Sequence, residues 1–393
     1  MNKKIILISK DVLIPSYLQP YNQESHTPNI NELFKKGTLF NRHYAAAPST
    51  AMSFSAFSTE KYMFELNRAD YVEVDEYTEE TIFDKFYKLG YACHIIWSKN
   101  YTPMAWKFSK SYGKNTVIHD HLKLNQSVGV HSIEQRDELQ EDLELCSTTI
   151  KSIIDLVKEL INTEKIFLWI HLPHVILGGT GYGSDMKCFD KFVGDIRKMF
   201  SDDSIYITAD HGHMNGVKGK TTYGFDLYES AIRIPLIAPK INQTDNVVDY
   251  PTSNTQLFDI MNGNVRKEMF VYSETAYYAQ KHRKLAIIYG NYKYIYSRKG
   301  NKEELYDVKY DPNENDNLLE DFIYDIDRKR KVSKKELIYY PNRKEVKNVY
   351  IILKQEFDRI WKTGSLKEEQ RASCRKFKNT IKSFVKKKFG IKK

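Results

Sequence analysis

Asp11 closely follows the apolar run Ile5-Ile6-Leu7-Ile8, and Asp210-His211-Gly212 comes straight after a second run, Ser204 to Thr208. A polar triplet leaving an apolar strand, with a glycine allowing close approach, is a way to aim a carboxylate and an imidazole at one cation. Taken alone, Asp11 reads equally as a helix cap. The pairing with a second strand-end carboxylate favours the cation. A third group of interest is Thr50, in Ala47-Pro48-Ser49-Thr50-Ala51-Met52-Ser53. Pro48 ends an extended segment, and the small residues behind it suit the start of a closely packed helix. A hydroxyl there faces unpaired backbone N–H groups and the positive end of the helix, so a phosphate or sulfate would be held beside it. The competing reading of Thr50 is a plain helix cap.

These groups need a frame that brings distant positions to one edge. Short apolar runs alternate with helical patterns, which is the signature of a mostly parallel sheet flanked by helices, an α/β fold. The spacing predicts strands at Ile5 to Ser9, Tyr91 to Trp97, Ile166 to Leu172, Ser204 to Thr208 and Ile232 to Ala238. Helical periodicity covers residues 29–37, 79–89, 148–162 and 186–200. In such a sheet Asp11 and Asp210-His211 both open at the carboxyl edge, where ligands bind. After residue 263 the texture changes to Tyr-rich runs, Met269 to Tyr272, Leu285 to Tyr289 and Tyr292 to Tyr296, separated by Gly-Asn or Lys-rich turns. The expected organisation is a catalytic core over 1–262, a small antiparallel subdomain over 263–322, a helical extension over 323–370 and a basic tail over 371–393.

A chain of 393 residues with 41% apolar side chains can bury a sizeable core. It contains no run of 18 apolar residues, so no segment reads as a transmembrane helix. The opening Met1-Asn2-Lys3-Lys4 imitates a secretion signal, but its apolar stretch is short and soon meets Lys10 and Asp11, which fits a strand instead. Cys93, Cys146, Cys188 and Cys374 have neither metal-site spacing nor disulfide density, as expected in a reducing cytoplasm. The net charge is +9, yet residues 371–393 carry ten basic side chains and no acid, which leaves −1 for everything before them. The basic character therefore belongs to a tail, and no specific nucleic-acid partner is expected of the body. Within that tail Phe377, Ile381, Phe384 and Val385 share one side of a helical wheel while lysines cover the rest. This is the pattern of a peripheral anchor for an anionic membrane surface, here at the inner face of the membrane. The alternative is a disordered lysine tail or an RNA-binding end.

In order and spacing these motifs resemble the sulfatase and alkaline phosphatase superfamily. The resemblance rests on Ile5 through Asp11, on Thr27-Pro28-Asn29-Ile30 leading to Leu33, Gly37 and Phe40, and on Ala47-Pro48-Ser49-Thr50. It continues with Asp210-His211-Gly212, Leu227-Tyr228-Glu229 and Arg233-Ile234-Pro235-Leu236-Ile237, and closes with Glu304-Leu305-Tyr306-Asp307, Asp311-Pro312 and Asn317-Leu318. It spans about residues 4–322 and implies one divalent metal held by Asp11, Asp210 and His211, with Thr50 both ligand and nucleophile. Two or three oxygens and one imidazole suit Mn2+, Zn2+, Mg2+ or Ca2+ alike. His174 falls where the family often has a substrate-oxygen histidine, whereas His171, inside its strand, reads as core.

The departures redirect the chemistry. Family members that cleave sulfate esters with an oxidised Cys or Ser follow it with Pro and Arg two and four positions on; here the three positions read Thr50, Met52 and Phe54. That resembles the Thr-nucleophile branch, which handles phosphoryl groups and includes phosphodiester hydrolases and phosphoethanolamine or phosphoglycerol transferases. Upstream of Leu-Tyr-Glu a family histidine is replaced by Tyr223, and Lys218, Lys220 or His213 could supply positive charge to a substrate instead. The implied activity is transfer of a phosphoryl-linked substituent from a small-molecule donor to a surface-glycan saccharide, through a covalent intermediate on Thr50. The alternatives are a hydrolase of phosphodiesters or sulfate esters on the same centre, and a degenerate, non-catalytic glycan-binding protein.

Overall fold

The computed structural model describes residues 3–66, 79–97, 115–120, 150–172, 182–241, 246–276, 280–319 and 344–361. Its frame is an eight-stranded sheet with the spatial order Val247–Val248, Thr38–Phe40, Leu236–Ala238, Ile205–Ala209, Lys4–Lys10, Ile166–Leu172, Ala92–Trp97 and Thr116–Asp120. The five strands from Ile205–Ala209 to Thr116–Asp120 are parallel neighbours. Leu236–Ala238 runs antiparallel to both of its neighbours. The fold is therefore α/β with a mainly parallel central sheet.

Period-two alternation along the first strand sends its side chains to two different cores. Ile6 and Ile8 pack with Ile30 and Leu33 of the helix Pro28–Lys36 and with Phe189, Phe192 and Ile196 of the helix Tyr182–Met199. On the other face Ile5 and Leu7 share a cluster with Phe54 and Phe57 of the helix Thr50–Thr59 and with Phe83 and Phe86 of the helix Ile82–Lys88. A sheet covered on both faces needs strands apolar throughout, and all seven residues of Ile166–Leu172 are buried.

The run expected as one strand over 232–238 is two. Arg233–Ile234 pairs with His43–Tyr44 in a three-stranded sheet, whereas Leu236–Ala238 joins the main sheet. Pro235 between them has no N–H for either ladder, and the chain changes sheets there. The expected antiparallel subdomain is a four-stranded meander of Val271–Thr275, Lys284–Tyr289, Tyr292–Ser297 and Lys302–Asp307. Its second hairpin turns on Gly290-Asn291, with Gly290 at φ 55°, as a two-residue loop of the right twist requires.

One face of the meander packs on the helix at residues 344–361 through Val349, Leu353, Phe357 and Ile360, and on Met52 and Ala56 of the Thr50–Thr59 helix. The other face packs on Met214, just after Asp210-His211 in sequence, and on Leu227, Ala231 and Ile232. His174 and the basic tail at 371–393 lie outside the described residues, as does most of the 323–370 extension. Among the described residues no helix is long and apolar enough to cross a membrane.

Candidate active site

The strands Lys4–Lys10 and Ile205–Ala209 are adjacent and parallel, so their carboxyl ends deliver Asp11 and Asp210-His211 to one place. The Asp11 N–H donates to the Leu172 carbonyl (2.9 Å), which continues the ladder by one bond. Val12 then takes φ 57°, a left-handed conformation that a β-branched side chain adopts only under constraint. Its N–H donates to Asp210 Oδ1 (3.2 Å), which also accepts the His211 N–H (2.8 Å). With Oδ1 committed, Asp210 Oδ2 is buried and accepts no hydrogen bond.

His211 is fully buried, and its Nδ1–H donates to the Gly212 carbonyl (2.8 Å). A carbonyl can only accept, so this bond fixes the tautomer and leaves the Nε2 lone pair pointing inward. Nε2 lies 3.6 Å from Asp11 Oδ1, 3.4 Å from Asp210 Oδ2 and 3.2 Å from Thr50 Oγ1. One ligand atom from each of Asp11, Asp210 and His211 lies within 4.8 Å of the others. Two carboxylate oxygens and an imidazole lone pair converging in a buried space repel one another unless a cation lies between them, so this donor set fits a divalent metal. The Nδ1–H to carbonyl bond is the outer-shell contact that orients metal-binding imidazoles.

Thr50 is the first residue of its helix, and Ser49 before it is extended and caps nothing with its side chain. The helix is buried along Ala51 to Thr59, and the Ser55, Ser58 and Thr59 hydroxyls return to carbonyls one turn back. Small residues let the helix sit deep, and their hydroxyls satisfy themselves locally. Its N-terminus is tied to the metal-site strand: Ser53 Oγ donates to the Asp210 carbonyl (2.5 Å) and accepts from Asn254 Nδ2 (2.9 Å), while Asn254 Oδ1 accepts the Ala46 N–H (3.0 Å). Gly212 is needed for close approach, because a Cβ there would sit 2.1 Å from the Ser230 carbonyl oxygen.

Of the other sequence candidates, Tyr223 holds its ring 4.6 Å from that of His211, tilted by 32°, and so covers the imidazole. His213 is turned to Asn215, whose N–H donates to His213 Nδ1 (3.1 Å), and its ring is 6.0 Å from Tyr223. Lys220 is engaged with Asp226 (2.6 Å) and lies 5.4 Å above the Tyr228 ring. Lys218 donates to the Glu314 carbonyl and lies over the rings of Tyr228 and Tyr306. The structure thus gathers Asp11, Thr50, Asp210, His211 and Tyr223, keeps His213 beside Tyr223, and gives Lys220 a carboxylate partner.

Behind the cluster Lys10 pairs with Asp185 (2.8 Å) in a buried ion pair. His171 Nδ1 lies 2.9 Å from Ser9 Oγ, which accepts the Trp169 indole N–H (2.8 Å). Burial pushes the His171 imidazole down to about 4; nearby Asp11 opposes that shift, and Lys10 and His211 reinforce it. His171 is accordingly neutral at physiological pH. Ser53 and Asn254 carried no sequence signal as helix anchors, apart from Ser53 lying one turn beyond Thr50.

Residues 4–175 match the family model described as Sulfatase. No curated protein matches the chain. Among solved structures it is similar to a 2-O GAG sulfatase, with 16% identity, 91% of this chain and 92% of that one covered, and a TM-score of 0.66. It is also similar to the phosphonate monoester hydrolases of Agrobacterium radiobacter (14% identity, 83% and 93% covered, TM-score 0.58) and Silicibacter pomeroyi (12%, 83% and 93%, 0.60). The chain has their fold, and the sulfatase family model covers just under half of its length.

Proposed function

We propose that the protein is a metal-dependent phosphoryl-group transferase that works through a covalent intermediate on Thr50. The observation that carries this reading is the position of Thr50 Oγ1 at a helix N-terminus, 3.2 Å from His211 Nε2 in the Asp11–Asp210–His211 cluster. A threonine does not yield the oxidised aldehyde that sulfate-ester cleavage in this family uses, and Met52 and Phe54 stand in place of the accompanying Pro and Arg. A bound divalent ion would supply Lewis acidity, neutralising charge on the ester and lowering the proton affinity of the attacking hydroxyl.

The chain's own groups do the rest. The helix holds Thr50 in place, its unpaired first-turn N–H groups face an anionic phosphoryl oxygen, and Tyr223 covers the imidazole. The bond from Thr50 Oγ1 to phosphorus forms as the bond from phosphorus to the donor oxygen breaks, and the donor alcohol leaves with a proton. A saccharide hydroxyl then attacks phosphorus, and Thr50 is released with its proton restored.

The fold shared with phosphonate monoester hydrolases and sulfatases supports a second reading, in which water replaces the saccharide. Intact-mass spectrometry after incubation with bis(p-nitrophenyl) phosphate tests the common first step. A nitrophenyl phosphate adduct on wild type that is absent from Thr50→Ala is expected, and equal nitrophenol release by the two proteins would remove Thr50 as nucleophile. Steady turnover without any saccharide would favour the hydrolase.

A further inference from the structure

Below the metal loop lies a buried charged cluster to which the chemistry above assigns no task. Lys293, on the strand Tyr292–Ser297, is wholly buried, with Nζ 2.9 Å from Glu229 Oε1 and 2.6 Å from Glu314 Oε1. Glu314 is 1% exposed and has φ 55°, a left-handed backbone that a glutamate adopts under constraint. Its other oxygen, Oε2, accepts the Glu229 N–H at 2.6 Å.

Glu229 opens the helical turn Glu229–Ile232, which carries the metal loop: the Ser230 carbonyl accepts the His213 N–H (2.8 Å) and the Ala231 carbonyl the Gly212 N–H (2.9 Å). Lys218, further along the same loop, donates to the Glu314 backbone carbonyl. One residue of the closing segment therefore grips both the turn beneath His211 and the loop beyond it. Resting on the reading of Asp11, Asp210 and His211 as metal ligands, we propose that Glu314 and Lys293 are positioning residues that set metal affinity by holding this turn against the loop.

Two carboxylates on one buried ammonium leave a net negative charge, which is costly away from water. The groups facing Glu314 are Lys293, Glu229 and Lys218, with Tyr228 and Tyr306 behind Lys218; Tyr44 donates to Glu229 Oε2, and Glu304 accepts from both tyrosines. Burial first, and then the Glu229 charge, push the Glu314 carboxyl up to about 7, with Lys293 opposing. A carboxyl pushed up in this way is favoured by the fold in its protonated form, so the turn is held best below that pH and loosens as Glu314 ionises above it.

The test is Mn2+ titration by calorimetry of wild type, Glu314→Gln and Lys293→Met between pH 6 and 8.5, with melting temperatures alongside. Glu314→Gln keeps the shape and removes the charge. It is expected to match wild type near pH 6, where Glu314 is itself neutral, and to bind Mn2+ about tenfold more tightly than wild type at pH 8.5, within the range by which outer-shell partners change the affinity of metal ligands. If Lys293→Met does not fold, the Glu314→Gln comparison decides alone. Superimposable wild-type and Glu314→Gln affinities at every pH, even with a lowered melting temperature, would make the cluster merely structural and overturn the proposal. A wild-type protein that binds no metal would overturn the metal reading and this proposal together, and is distinguishable from the former result.

Discussion

At the scale of single residues, the site is constrained as much by what cannot be added as by what is present. Gly212 has no room for even one carbon, since its hypothetical Cβ would meet the Ser230 oxygen at 2.1 Å, and that oxygen is fixed by the His213 N–H. Gly212→Ala must therefore push the turn Glu229–Ile232 away from the loop or shift His211. We expect a loss of about 1–3 kcal/mol of stability, typical of forcing a methyl into a packed space, together with sub-stoichiometric metal. Thermal melts and metal analysis of that variant check both, and an unchanged melting temperature with full metal content would refute the steric account. Asp11, Asp210 and His211 stood out in the sequence because polar residues leaving apolar strands are conspicuous. The left-handed Val12 did not, because nothing in a valine announces a backbone that a hydrogen bond to Asp210 holds in place. Asn254 was equally silent, since its value lies in two partners, Ala46 and Ser53, about two hundred residues away.

At the scale of elements, the long apolar strands were legible and the short ones were not. Ile166–Leu172 has the bounds its composition predicts, because seven consecutive buried residues leave a local signal. Thr38–Phe40 and Thr252–Ser253 are too short to carry a period; their pairing with distant strands, rather than their propensity, makes them strands. Glu304-Leu305-Tyr306-Asp307 drew notice as a motif, and structurally it belongs to the fourth strand of the meander. That meander is covered by the helix at residues 344–361, in which Leu353 is wholly buried. Leu353→Ala should cost about 2–5 kcal/mol, the usual range for such a cavity. The loss should appear as a lower urea midpoint, while metal stoichiometry under native conditions stays intact because Leu353 belongs to the cluster formed with the meander and not to the side chains around Asp11, Asp210 and His211. A midpoint shift within error would mean that the helix contributes little to the packing of the meander.

At the scale of the whole molecule, charge is segregated: residues 1–370 carry −1 and the tail +10. Deleting residues 371–393 is expected to release the protein from anionic vesicles while leaving turnover of a soluble substrate unchanged. Each basic group near such a surface contributes about 1 kcal/mol, much of it screened by salt. Apolar burial of Phe377, Ile381, Phe384 and Val385 would add a part that salt leaves in place. Co-sedimentation at low and high salt separates the two parts, and equal sedimentation of full-length and truncated protein at low salt would dismiss the tail as an anchor. The sheet order also sets a timetable. Lys4–Lys10 is synthesised well before Ile166–Leu172 and Ile205–Ala209, yet it ends up between them, so this strand must wait for both. At roughly 5–20 residues per second, some 200 residues of synthesis separate it from its second partner, a delay on the order of ten to forty seconds. Until Ile205–Ala209 has been made, Ile5-Ile6-Leu7-Ile8 is an apolar segment with at least one strand edge unpaired, the kind of exposed edge that promotes association of a nascent chain.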